Sequence, residues 1–455
     1  MDYFNPRLRF IDQFLAHFKP IFSNTQMSSL RTLVYGMFFD YKRLSLSAVA
    51  RKTNTNYQKL QHFFSDSSWD INKLNDARLK IIQNQPTTRA TPNGVFALDD
   101  TGCPKPHAEK TEGAQFQYCG SLGRKENCNV AVASCFVSNS KHFPINFKSY
   151  IPIQGRPPQD FKSKPDLAKE LIAEAVAKNI PFSSVVFDAW YTSSDMIESI
   201  ASKNLTLIAE TKINRSILFT HPETRQQGYN CAEDIIPVIR QFYAHRFKHI
   251  EILQKNGKIK HVYTYVIKSK LKDCSVPLQI FFILDKWSDT DDKDAHVLIT
   301  NNLAMSVKTA IDTYLLRWGI EESFRELKDN FCFDQYQVRD QEQIQRHWII
   351  SFLVWSLTYW IKQNACLSKI LQDSPQSIGQ CKEAIAALII IDSTCLLSKN
   401  KNIAEALKIK SQRQYFVRKY FFPDYFFKTS LRNFCKYVTY VISMRYVNFT
   451  PCFFC

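Results

Sequence analysis

Apolar residues recur at helical spacing through residues 1–88, and the run closes at a polar break, NQPTTRATPNG (84–94). Inside it, LSLSAVARKTNTNYQKLQHFF (44–64) splits into a short helix through Val49 and Ala50, a polar turn at Thr53 to Thr55, and a second helix. That second helix is expected to turn Tyr57, Leu60, Phe63 and Phe64 inward. Asn56, Lys59, Gln61 and His62 would then face outward as groups able to reach phosphates and base edges. Two readings fit: a DNA-binding helix-turn-helix, or an ordinary pair of packed helices.

From residue 94 the period shortens to that of strands. GVFALDD, CNVAVASCFV and FPINFKSYIPI predict an antiparallel meander. A helix over PDLAKELIAEAVAKN (165–179), a strand SSVVFD ending at Asp188, a helix from SSDMIESIASK and a strand LTLIAETK complete a β-β-β-α-β-α-β order. That order implies one mixed sheet with helices packed on it. Residues 213–295 read as a mostly β insertion, with an Asn256-Gly257 hairpin turn and a further strand in VPLQIFFILDKW. Helices return after 345, and the tail from 411 is aromatic, with seven basic residues against one acid, suited either to stacking on nucleic acid or to capping the helices.

The expected organisation is therefore a helical, helix-turn-helix-like domain (1–88), an α/β core in two parts (89–212 and 296–345) separated by the β-rich insertion (213–295), and a helical C-terminal region (346–455).

Between the insertion and the last helices lies YLLRWGIEESFRELK (314–328). As one ideal helix turning about 100° per residue, it would carry Leu316, Ile320, Phe324, Leu327 and Phe331 on a core-facing stripe. Tyr314, Arg317, Glu321 and Lys328 would share a bordering arc of about 60°. A solvated flank with an i, i+4 ion pair accounts for such a line, so the other acids must decide. Asp99 and Asp100 close the run VFAL, and Asp188 closes VVF. Carboxylates gathered at strand ends raise one another's pKa unless a cation neutralises them. Two hard ions such as Mg²⁺, bound through oxygen, would equip the site for phosphoryl transfer, with Glu321 as the third acid. Tyr314, Arg317 and Lys328 would then hold the phosphates of a strand lying along the helix.

Composition narrows the partners. The 455 residues carry a formal charge of +17, which attracts polyanions and makes nucleic acid the leading partner. The thirteen scattered cysteines suit free thiols in a reducing compartment, and the Cys452, Cys455 pair lacks the companions of a zinc site. The longest apolar run, WIISFLVWSLTYWI (348–361), is short for a bilayer span, and MDYFNPRLRF lacks a signal-peptide core. A soluble, cytoplasmic protein associated with the nucleoid and not with a membrane is expected.

The order of LDDTG, VVFDAWY and Y-x2-R-x3-E-x6-K resembles the DDE transposases of bacterial insertion sequences, in the insertion-sequence-four superfamily with its Y-R-E-K signature. DDTGCPK followed by QYCGSLGRKENCNVAV is similar to the insertion-sequence-701 group. The resemblance implies an α/β, RNase H-like core and a catalytic, metal-binding triad of Asp100, Asp188 and Glu321. Asp100 is favoured over Asp99 by the family's aspartate-threonine pair, and in an alternating strand the two would face opposite sides. The resemblance also implies Mg²⁺ with Mn²⁺ as a substitute, transposon-end and target DNA as partners, and a homodimer in the DNA complex. Tyr314, Arg317 and Lys328 would contact DNA, as would Asn56 and Lys59. Trp287 would offer a face to a flipped base, or else be a strand-end core residue. The activity implied is end binding, cleavage and strand transfer; a catalytically silent DNA-binding regulator and a nuclease that cuts without joining are the alternatives.

Overall fold

The computed structural model describes residues 8–39, 45–153, 160–253, 257–287, 295–367 and 375–398. The tail from 411, the Cys452, Cys455 pair and Asn256 lie outside the described residues. The chain divides into two compact units, one of residues 1–70, 330–332 and 364–455, the other of 71–329 and 333–363.

In the first unit, α1 (Arg9–Ala16), α2 (Asn24–Phe39), α3 (Leu46–Thr53) and α4 (Tyr57–Ser65) form where helical periodicity predicts. The Ser45 side chain caps α3 by accepting from the Ala48 N–H, and Asn54 ends it in the left-handed region at φ 50°. Helices α2 and α3 approach closely at Gly36, where an added Cβ would lie 2.5 Å from Val49 Cγ1. Leu60, Phe63 and Phe64 are buried as expected, whereas Tyr57, the first residue of α4, is exposed. Asn56 is the N-cap of α4, its side chain accepting from the Gln58 N–H at 2.8 Å. Lys59 Nζ donates to Ser28 Oγ on α2 at 2.8 Å.

The second unit begins with α5 (Ile71–Gln83) and β1 (Val95–Pro104), β2 (Gln115–Cys119), β3 (Arg124–Val137) and β4 (His142–Tyr150). It continues with α6 (Lys164–Ala177), β5 (Ser184–Phe187), α7 (Ser194–Ala201), β6 (Leu207–Thr211), β7 (Ser216–Thr220), β8 (Gln227–Cys231) and α8 (Ala232–Tyr243). β9 (Lys248–Leu253), β10 (Ile259–Ser269), β11 (Leu278–Leu284), β12 (Ala295–Thr300), α9 (Val307–Leu315), α10 (Trp318–Phe331) and α11 (Gln341–Gln363) follow. A ten-stranded sheet runs β2-β3-β1-β5-β6-β12-β11-β10-β9, with β4 also on β3. β1, β5 and β6 are mutually parallel neighbours, and the remaining pairs are antiparallel. The expected meander is thus β1, β3 and β4.

The insertion is mostly β, as expected, but its strands β9 to β11 continue the same sheet through β12 and β6, and only β7 and β8 pair apart. Strand β11, LQIFFIL, is buried at every position and needs cover on both faces. Ala310 and Ile311 of α9 supply part of that cover, packing with Phe281, Ile283 and Leu298.

Helix α5 belongs with the sheet through Arg78. A register shift between Ser134 and Cys135 lets Ile145 bulge from the β3–β4 ladder. Its carbonyl accepts instead from Asn75 and Arg78, while Arg78 also reaches Pro144 O (2.9 Å) and Ser356 Oγ of α11 (2.8 Å). Burial pulls the Arg78 pKa down to about 9. The apolar run 348–361 lies within α11 and is almost wholly buried, and no helix among the described residues is long and apolar enough to cross a membrane.

Residues 314–328 are not one helix. α9 ends at Leu315 and α10 starts at Trp318, joined by tight i to i−3 bonds such as Arg317 N–H to Tyr314 O. α9 must cover β11 and β12, whereas α10 packs on β3, where Gly319 sits so close that an added Cβ would lie 2.4 Å from Val137 Cγ1. A straight helix cannot serve both places. Ile320, Phe324, Leu327 and Phe331 are buried as the periodicity required, while Leu316 is only partly covered.

Candidate active site at the ends of the central strands

β1 and β5 pair only through Val95 to Ala97 and Ser184 to Val186, and the chains part at the acids that follow. Strand ends at such a divergence leave room for ligands. Cross-strand register decides which side each aspartate faces. Ala97 lies opposite Cys135, whose thiol meets Ser323 Oγ of α10 at 3.1 Å. Asp99, two residues on, shares that face: its Oδ2 is 3.5 Å from Arg317 Nη1, and Arg317 Nη2 holds Glu321 Oε1 at 2.9 Å. Asp100 points to the other face, where Lys164 Nζ at the start of α6 meets Oδ2 at 2.8 Å and the Tyr191 hydroxyl donates to Oδ1 at 3.0 Å. The sequence favoured Asp100 for the triad; the fold places Asp99 on the side of α10, with Glu321.

Asp188 stands between them electrostatically. Its Oδ1 accepts the Trp190 N–H at 3.0 Å, and burial raises its pKa, with Asp100 adding to the rise and Arg317 opposing it. Asp99 is pushed up to about 8, first by burial, then by repulsion from Asp188 and Asp100, with Arg317 as the opposing charge. A carboxyl raised by burial and by neighbouring like charges is one that a bound cation would return to its charged form. The donors are all carboxylate oxygens, the set hard divalent ions take. Among the described residues no three acidic, histidine or cysteine side chains stand within metal-holding range of one another. Glu321 is drawn to Arg317. The donors fit a divalent cation if Glu321 exchanges the guanidinium for it.

The remaining expected residues fall as follows. Tyr314, at the end of α9, packs its ring against the α9 cluster and donates its hydroxyl to Glu210 Oε2 at 3.0 Å. Glu210 also takes His296 Nδ1 at 2.7 Å, which holds its carboxyl below the usual range. The Tyr314 hydroxyl proton is therefore already committed. Lys328 Nζ donates to the Gly102 carbonyl of β1 at 2.7 Å. Trp287 is apart from the acids, half-exposed in an aromatic group with Phe247 and Tyr263 at centroid distances of 5.0 and 5.3 Å.

Sequence reasoning missed Lys164, Tyr191, Glu210 and His296, which meet their partners across long stretches of chain. It also passed over Trp190, which is 53% exposed, with Lys164 Nζ 5.0 Å from its ring centroid. Its place two residues beyond a strand-end aspartate was the available signal.

Residues 13–232 match the family described as DDE superfamily endonuclease, a span that holds Asp99, Asp100 and Asp188 and stops short of Glu321. With the mixed sheet and its flanking helices, the match bears out the expected α/β, RNase H-like core. A protein named probable transposase for insertion sequence element IS701, from Microchaete diplosiphon, is 30% identical over 217 residues, 47% of this chain and 56% of its own length. The two matches bear out, each over a little under half of the chain, the resemblance to DDE transposases of the insertion-sequence-701 type carried by the motifs. The chain spans about half the length of that curated relative.

Proposed function

We propose that the protein binds the terminal inverted repeats of a transposable element and catalyses divalent-metal-dependent cleavage and strand transfer there. The observation that carries this reading is that Asp99 and Asp188, beside the parting of β1 and β5, are near enough to repel each other, with Glu321 tied to Asp99 through Arg317. Asp99, Asp188 and Glu321 would hold Mg²⁺, two ions for this chemistry, with Mn²⁺ as a substitute, and Asp100 is a neighbouring acid held in reserve by Lys164. The bound cations would supply Lewis-acid stabilisation of the phosphorane-like charge.

The chain's own groups orient the strand. Arg317, released from Glu321, presents its guanidinium to a phosphate bidentately, and Lys328 adds a point charge beside β1. Tyr314, its proton committed to Glu210, meets the strand through its ring or its oxygen lone pairs. In the first step a water oxygen bonds to phosphorus as the bridging P–O3′ bond breaks, leaving a 3′-hydroxyl and a 5′-phosphate. In the second, that hydroxyl oxygen attacks a target phosphorus and the target's own 3′-oxygen leaves. A dimer brings two ends together. Asn56 and Lys59 reach DNA only by giving up the cap of α4 and the contact to Ser28, and His62 already meets Asp66 at 3.4 Å, so Gln61, exposed on the same helix, is the freer candidate.

Asp188→Ala or Glu321→Ala is expected to reduce strand cleavage by about 10³-fold or more, upwards of about 4 kcal/mol in barrier, with end binding retained. A labelled-end assay with Mg²⁺ separates the outcomes: joined product supports the proposal, cut but unjoined product makes the protein a nuclease, and bound, uncut DNA makes it a regulator.

A further inference from the structure

A cavity of about 290 Å³ opens at the residues that follow Asp188 in the chain, lined by Ala189, Trp190, Lys212, Arg215, Lys272 and Asp273 among others. We infer that it is a phosphate subsite, taking the backbone phosphate next to the one presented to Asp188. This inference rests on the proposed action on DNA.

Three cations from two chain segments face one carboxylate in this cavity. The segments are tied to each other before any ligand arrives. The Arg215 N–H closes a turn on Lys212 O (2.9 Å), the Lys272 N–H donates to Ser216 O (2.9 Å), and Ser194 Oγ donates to Lys272 O (3.3 Å). Arg215 Nη2 in turn donates to Ser194 Oγ at 2.8 Å, fixing the guanidinium. Its Nε is buried and has no hydrogen-bond partner among the described residues. A buried donor without an acceptor is destabilising, and the residue that carries it lines the cavity. Among the described residues the side chains of Lys212, Lys272 and Asp273 make no ion pair with one another or with other groups, so both ammonium groups remain available. The Trp190 backbone N–H donates to Asp188 Oδ1 at 3.0 Å, which links the residue carrying the indole wall to the acid. The exposed indole offers the attached sugar or base a flat apolar face. An uncharged ligand would leave the cations unmatched, and a free carboxylate would not explain a site opening alongside a strand-cleaving acid. A phosphodiester satisfies both.

The test measures binding of the full-length protein to a short fluorescein-labelled DNA duplex over a range of salt concentrations, for the wild type, Arg215→Gln and Lys272→Gln. Each substitution is expected to weaken binding about three- to tenfold and to lower the log–log salt slope by about one phosphate. Trp190→Phe is expected to abolish part of the tryptophan fluorescence change on adding DNA. Lys272 is exposed and makes no side-chain bond, so its variant carries the test should Arg215→Gln fail to fold. Wild-type protein that does not bind DNA overturns both this subsite and the proposed function. Wild-type binding with unchanged slope and affinity in the folded variants overturns the subsite alone.

Discussion

Asp99 and Asp100 are neighbours in the chain, and the strand between them turns one to each face of the sheet. On the Asp100 side a lysine and a tyrosine hydroxyl satisfy the carboxylate, and nothing further is required of it. On the Asp99 side the opposing charge among the described residues is Arg317, shared with Glu321, while Asp188 and Asp100 repel. The first environment is complete as it stands. The second is short of positive charge, and that deficit, more than the number of acids, distinguishes a place for cations from a structural ion pair.

The comparison breaks most decisively at the chemistry. Asp99→Asn should lower cleavage about 10³-fold, and Asp100→Asn only about tenfold, the latter through loosening of Lys164 and Tyr191. Rates in the opposite order would exchange the roles of the two faces.

The same contrast governs stability without metal. Asp99 titrates in the folded protein near the value of about 8, against an ordinary 3.8 when unfolded. Between those values the native state holds a proton that the unfolded state has lost, so stability falls as pH rises through that window and levels off above it. Asp99→Asn should flatten this slope and stabilise the metal-free protein at the alkaline end by about 1–2 kcal/mol, a few degrees in Tm. Asp100→Asn, which removes one of the charges repelling Asp99, should flatten the slope only in part. Thermal melts in chelator across the window check both statements.

Much of this architecture was legible beforehand. The meander, the strand ending just before Asp188, the helix over α6 and the bihelical pattern at 44–64 follow from periodicity, because each buries a face its own sequence defines, whereas β1, expected to close at Asp99 and Asp100, runs on through both to Pro104, held by its pairing with β3. The break between α9 and α10 was not legible, since the tight turn at Leu316 leaves the apolar stripe from Ile320 onward in phase. α8 was hidden by Pro237 in its interior, and β2 by its shortness and exposed Phe116 and Tyr118. Alternation showed that Asp99 and Asp100 must face apart. Which of them meets α10 depends on the pairing of Ala97 with Cys135, and register across distant strands is not written in either strand alone.

The smallest expected effect sharpens the account at the edge of the site. Lys328→Ala should lower the salt slope of end binding by about one phosphate and weaken affinity modestly, partly offset by the contact to Gly102 that it already makes. An unchanged slope would assign Lys328 to holding β1 alone.

Manganese binding, followed by the loss of the free-ion paramagnetic resonance signal, tests the centre most directly. Wild type and Asp100→Asn should take up Mn²⁺ while Asp99→Asn and Asp188→Ala should not. Equal uptake by Asp99→Asn and wild type would contradict the assignment of the metal to the face of β1 that meets α10.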